Sequence, residues 1–227
     1  MPDTAPSTPT ARLRKDDGLG PRIRATREKK GLSLRALARQ INVSPSLISQ
    51  IETGRAMPSV GTLFAISNHL GLVIDDVFNN APQVGESPEG QPVTAHSGAA
   101  AIAPTSRGPV QRSHNRSKIK LNTGVHWERL TPTTDDEVEF LYVTYDVGGA
   151  SCEDGALFRH GGKEYGYILS GRLGIQIGFE EYELAPGDSL SFGAETPHRL
   201  WAIGTEPARA IFAILRRNGD KRTSAKP

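Results

Sequence analysis

The sequence predicts a two-domain α-then-β chain: a small bundle of short helices, a linker, and a strand-rich C-terminal half. Three observations carry that prediction. Apolar residues recur at helical spacing from about Leu19 to Phe78 and the pattern then ends. A stretch rich in Pro, Gly, Ser and Ala follows, NNAPQVGESPEGQPVTAHSGAAAIAPTSRGPVQRS. From about Ser117 onward β-branched and aromatic runs punctuated by glycine take over, among them VEFLYVTYDV, YGYILSG, RLGIQIG, DSLSFG and ARAIFAIL. The 227 residues divide accordingly into a disordered tail (1–18), a helical domain (19–78), a linker (79–112), a β domain (113–216) and a charged C-terminal tail (217–227).

Each helix carries its own start and stop signals. Arg22 to Lys30 forms a helix that ends at Gly31, a favoured residue just past a helix terminus. Ser33 caps LRALARQI, in which Leu34, Leu37, Ala38 and Ile41 share a face. After the turn INVS, Ser44 caps the next helix, with Pro45 at the first position where a missing N–H is harmless. Leu47, Ile48 and Ile51 face the core, leaving Ser46, Ser49 and Gln50 towards solvent. Thr53-Gly54-Arg55 ends that helix. VGTLFAISNHL then makes another before Gly71, and a short turn, IDDVF, closes a five-helix bundle.

The charge is uneven. From Arg22 to Pro58 there are eight bases against two acids, whereas from Gln111 to Arg216 there are 11 bases against 15 acids. A basic first domain suits a polyanion and the acidic second half does not. No apolar stretch approaches a membrane span, and the first twenty residues lack the apolar core of a secretory signal. Cys152 is the one cysteine, which excludes an intrachain disulfide and fits a reducing cytoplasm. Glu153 and Asp154 beside it discourage a thiolate.

Two short helices joined by a tight turn, the second presenting a small polar face, form a helix-turn-helix. The run SLRALARQINVSPSLISQIETGRAMPSVGTLFAISNHLGL resembles the phage-repressor/Cro type, the XRE family, over roughly residues 23–78. That resemblance implies that Ser44 to Glu52 enters the major groove of double-stranded operator DNA. Ser46, Ser49 and Gln50 match positions that touch bases or nearby phosphates, with Gln50 able to pair bidentately with adenine. Arg27, Arg35 and Arg55, with Ser44 and Thr53, complete the expected contacts, the arginines reaching phosphates.

In the β domain, His160 and Glu164 are four residues apart and His198 lies on a later strand. Two His and one carboxylate suit Zn, Fe, Mn or Ni and leave open coordination positions. The same three side chains can instead simply hydrogen-bond one another in a polar pocket. The stretches HGGKEYGYILSG and LAPGDSLSF followed by PHR resemble the two motifs of the cupin superfamily, a double-stranded β-helix of jelly-roll type, over roughly residues 117–216. His160 takes the second His position of the first motif, Glu164 the Glu and Gly171 the closing Gly. Phe158 stands where the first His is usual, and Ala202 where the second motif carries Asn. One of four usual ligands is therefore missing, and Phe158 would shape an apolar effector pocket with His160, Glu164, His198 and His126. Trp127, Tyr165, Tyr167 and Trp201 are expected to pack or to form an interface.

Taken together, the chain resembles the XRE–cupin regulators. That implies a cytoplasmic, non-enzymatic homodimer that binds operator DNA and senses a small-molecule or metal effector through its barrel. One rival is a cupin dioxygenase or isomerase with an accessory DNA-binding domain. The other is an effector-independent dimerising module.

Overall fold

The computed structural model describes residues 18–72, 74, 78 and 108–216. Most of both predicted tails and of the predicted linker lies outside these residues. Four α-helices form the first domain: α1 (Leu19–Lys29), α2 (Leu34–Gln40), α3 (Pro45–Glu52) and α4 (Val60–Leu70). The caps are local chemistry. The Ser33, Ser44 and Ser59 hydroxyls each accept from a backbone N–H in the first turn of their helix, at 3.1 Å. Gly71 ends α4 in the left-handed region (φ 65°), where a side chain would be strained. Asn42 (φ 56°) makes the tight turn between α2 and α3. The expected count of five helices is corrected to four among the described residues. Of the fifth segment, Ile74 and Phe78 are described, and both are buried.

Ile23, Leu37, Ala38, Ile48, Ile51, Ile66 and Leu70 form the core of the helical domain. Gly20 sits where α1 crosses α3, and a Cβ there would lie 2.3 Å from the Ile51 carbonyl oxygen. Backbone meets backbone at that crossing.

Nine strands follow: β1 (Lys118–Leu121), β2 (Val125–Arg129), β3 (Val138–Tyr145), β4 (Lys163–Ser170), β5 (Arg172–Ile177), β6 (Glu180–Leu184), β7 (Ser189–Gly193), β8 (His198–Ile203) and β9 (Ala208–Leu215). They make a six-stranded sheet, β1-β2-β3-β9-β4-β7, against a three-stranded one, β6-β5-β8. Every pairing is antiparallel. Strand alternation sends Leu141, Val143 and Tyr145 of β3, and Phe212 and Ile214 of β9, into the space between the sheets.

The two domains share a core. Val60, Leu63 and Phe64 of α4, with Ile74 and Phe78, pack with the barrel interior, while Ile66 and Leu70 of the same helix belong to the helical core. An α-helix apolar on two faces must be covered twice, and VGTLFAISNHL is such a helix. The first turn of α4 leaves an orphan N–H at Gly61, which donates to the Ser151 carbonyl of the barrel at 3.0 Å. The Asn122 N–H donates to the Pro58 carbonyl at 2.9 Å. Gly61 also permits the close approach: a Cβ there would lie 3.1 Å from that of Phe158.

Candidate functional site

His160, Glu164 and His198 meet between the two sheets. Glu164 points inward from β4, His198 begins β8, and His160 lies in the loop before β4, tied through its N–H to the Ala194 carbonyl at 3.0 Å. All three are buried, and one ligand atom from each lies within 4.8 Å of the others. Glu164 Oε1 is 2.6 Å from His160 Nε2 and 3.6 Å from His198 Nε2.

The outer ring nitrogens decide the tautomers. His160 Nδ1 faces the Gly161 carbonyl at 3.0 Å and His198 Nδ1 the Thr196 carbonyl at 2.8 Å. A carbonyl only accepts, so each Nδ1 carries the proton and each Nε2 lone pair turns towards the carboxylate. Two acceptors 2.6 Å apart repel unless a cation stands between them. A proton on His160 meets that need. Burial opposes its charge, but the hydrogen bond and charge of Glu164 outweigh it and raise the His160 pKa above its ordinary value. Burial likewise pushes the Glu164 carboxyl up, yet the hydrogen bond and charge of His160, with His198 close by, bring it down to about 2. His198 Nε2 is buried with no hydrogen-bond partner. A divalent ion fits this donor set: it satisfies that orphaned nitrogen and replaces the His160 proton, with both rings already oriented by backbone carbonyls.

The surroundings are apolar. A small cavity beside the trio is lined by Glu164 and by hydrophobic and aromatic side chains, among them Trp127, Val143, Tyr145, Phe158 and Phe212. Val60 and Phe64 of α4 complete its wall. The Phe64 ring lies parallel to His160, centroids 3.8 Å apart at 7°. Phe158 tilts against His198 at 4.3 Å.

Around the helix pair, Ser46 and Gln50 of α3 are exposed and Ser49 is half-buried beside them. Arg35 of α2 and Arg55 after α3 are exposed too. The exposed Thr53 hydroxyl donates to the Ser49 carbonyl at 2.8 Å. Ser44 is exposed, with its hydroxyl engaged as the α3 cap.

Residues 23–77 match the helix-turn-helix family model, and residues 136–214 match the cupin domain model. The chain carries an XRE-type helix-turn-helix domain and a cupin domain. The HTH-type transcriptional regulator PuuR of Escherichia coli K12 is similar to it, 24% identical over 200 residues that cover 87% of this chain and 96% of PuuR. The HTH-type transcriptional regulator DdrOP3 of Deinococcus deserti is 29% identical over 69 residues, 30% of this chain and 54% of DdrOP3. The crystal structure of an HTH_3 family transcriptional regulator from Vibrio cholerae shares the fold, with TM-score 0.59, 21% identity and coverage of 90% of this chain and 97% of that one.

Two expected site residues of this helix-turn-helix–cupin protein are placed elsewhere. Arg27 is not a phosphate contact. Its side chain is 7% exposed and forks onto Glu52, with Nε to Oε1 at 2.6 Å and Nη2 to Oε2 at 2.8 Å, while Nη1 donates to the Leu32 carbonyl at 2.7 Å. It is an internal strut that locks α1 to the end of α3. His126 is not a pocket residue. Val125, Trp127 and Arg129 are the buried positions of β2, so His126 and Glu128 lie on its outer face. There His126 Nε2 pairs with Asp146 at 2.8 Å, and Trp127 lines the cavity instead. Sequence reasoning also missed Phe64 and Val60 as site residues. The missed strand residues Leu141, Val143 and Tyr145 carried a readable signal, the alternation in VEFLYVTY. Cys152 is buried, and its thiol donates to the Ala156 carbonyl at 3.0 Å. Burial, opposed by Ser151 and Arg199, pushes its pKa up, which leaves it an inert thiol.

Proposed function

We propose that this protein is a transcription regulator that binds operator DNA through α3 and senses an effector in its cupin domain. The observation that carries the sensing half is the buried His160–Glu164–His198 cluster, with its orphaned Nε2, inside an apolar cavity roofed by the DNA-binding domain. His160, Glu164 and His198 would hold a divalent ion. Such an ion supplies a Lewis-acidic centre with open positions for a small ligand. For DNA, Ser46, Ser49 and Gln50 present small polar groups for base edges, and Arg35 and Arg55 supply phosphate contacts that set register. The similarity to PuuR over nearly the whole chain supports the regulatory reading.

One helix with three short readers contacts few bases, so the reading includes a homodimer on two half-sites about one helical turn apart. A suitable face exists. Phe140, Ala213 and Tyr165 stand in register across β3, β9 and β4, and Tyr142, Ile211 and Tyr167 form the next row. This outer face exposes Phe140, Tyr165, Tyr167 and Leu215 on a sheet whose inner face is already the core. No helix among the described residues is long and apolar enough to cross a membrane, and we place the protein in the cytoplasm with its DNA.

Metal content of the untagged protein, read by mass spectrometry beside His160→Ala and His198→Ala, tests the site. About one equivalent in the wild type, lost in both variants, is the expected outcome. No metal in freshly purified or metal-supplemented wild type would overturn the metal and leave an organic-ligand pocket. The two-His-one-carboxylate set also favours a second reading, a non-haem iron oxygenase. Beyond that set, Tyr145 is the one titratable group among the described lining residues, and burial raises its pKa far beyond the physiological range. The enzyme reading would require turnover of a substrate that His160→Ala abolishes.

A further inference from the structure

We propose that Phe64 is a removable wall of the His160–Glu164–His198 site, so that a ligand filling the cavity and the docking of α4 exclude each other. The inference rests on the sensing reading above and names the element that couples the barrel to the DNA-binding domain.

The geometry leaves Phe64 and a ligand one shared volume. Its ring lies flat on His160 at 3.8 Å, van der Waals contact, and faces Phe158 at 5.7 Å and Trp127 at 6.0 Å. Val60, one turn earlier, lines the same cavity. A ligand that reaches the three ligand atoms over the ring face of His160 that Phe64 covers must take the place of that ring. Phe64 in turn cannot leave alone. Gly61 brings the α4 backbone against Phe158 and Cys152, and its N–H is held by Ser151. The ring is therefore pinned by the helix, and expelling it lifts the start of α4 from the barrel.

The opposite face of α4 is equally committed. Ile66 and Leu70 are buried with Ile48 and Ile51 of α3 in the helical core. Close-packed interiors move as units, so a displaced α4 carries α3, and with it Ser46 and Gln50, to a new position relative to the barrel. Ligand binding and one arrangement of the DNA-binding domain thereby become linked, as a difference in ligand affinity between docked and undocked forms requires. The effector acts by competing with a side chain of the domain it controls.

Two variants of the full chain, both treated with chelator, test this without metal, operator or effector. In Phe64→Ala the wall is gone, and the His160 Cε1 hydrogen, which exchanges from the protonated ring, should exchange with deuterated solvent at least about tenfold faster than in wild type, as expected when a protecting contact is removed. Mass spectrometry locates the deuterium, the exposed His114 serves as internal reference, and Phe64→Leu should restore protection. In Val143→Phe the cavity is filled from within. Amide exchange along α4, starting at Gly61, should then rise by about tenfold or more while the β3 and β9 amides stay protected. His160 ring exchange as slow in Phe64→Ala as in wild type, in a variant with native circular dichroism, overturns the proposal. So does unchanged α4 exchange in a folded Val143→Phe. If Val143→Phe does not fold, the Phe64→Ala arm decides alone. A failed metal assay leaves both arms readable, so the two readings fail separately.

Discussion

Arg27 shows how one side chain changes meaning with its surroundings. On a solvated helix face it would be a phosphate ligand, but packed at 6% exposure against Glu52 it holds α1 to α3. Arg27 also reaches Glu28 at the longer distance of 3.5 Å, but its short bidentate partner is Glu52, so removing Glu52 leaves a buried guanidinium without its main counter-charge. Glu52→Ala should therefore lower stability by roughly 3–5 kcal/mol in denaturant titration. Replacing both residues with apolar side chains of similar size should recover most of that loss. The exposed residues of the same domain divide by chemistry. Arg55→Ala should weaken binding to all duplexes alike and reduce the salt slope by about one unit. Gln50→Ala should instead relax preference at one base position by roughly 1–3 kcal/mol, read by binding to a panel of operator variants. Equal loss on every sequence would remove Gln50 from base readout.

At the scale of elements, the α1–α3 crossing sets packing against propensity. Gly20 lies within α1, where alanine is favoured by about 1 kcal/mol on helix propensity alone. The new methyl would meet the Ile51 oxygen at 2.3 Å and the Glu52 oxygen at 2.7 Å. Neither is the end of a flexible side chain, so the helices must separate, and overpacking of this kind costs about 1–3 kcal/mol. Gly20→Ala should thus lower the melting temperature even though it improves the helix. A rise would mean that the crossing yields. Helix α4 follows the same logic, since Gly61 fits beneath Phe158 where a larger residue would loosen both the helix and the wall it provides.

For the whole molecule, the outer face of Phe140, Tyr165 and Tyr167 is the surface that a second copy would cover. Tyr167→Asp places an unpaired charge at its centre and should shift the protein to monomer in sedimentation equilibrium. A monomer reads one half-site, so operator affinity should drop in parallel, by at least about tenfold if two half-sites bind together. An unchanged dimer would move the interface elsewhere. The folding unit is also larger than either family match. The core that begins at Val60 and Phe64 runs into the barrel, and thermal unfolding should show the two domains melting with shared amplitude.

What the sequence determined by itself was whatever depends on near neighbours or on fixed spacing. Ser33, Ser44, Pro45 and Gly71 mark helix ends because capping and left-handed turns are satisfied within a few residues. The trio of His160, Glu164 and His198 was legible because the stretches that carry it resemble the two cupin motifs, although His160 itself sits in the loop before β4. Tertiary structure decided the rest. Alternation showed that His126 and Trp127 face opposite ways, but only the packed barrel says which way is inward. Arg27 and Glu52 are 25 residues apart in the chain, and no local pattern announces their pairing. VGTLFAISNHL was read only as a helix, and the structure shows it apolar on two faces. Which surface covers the second is a question of contact between domains, and the answer puts Phe64 on His160.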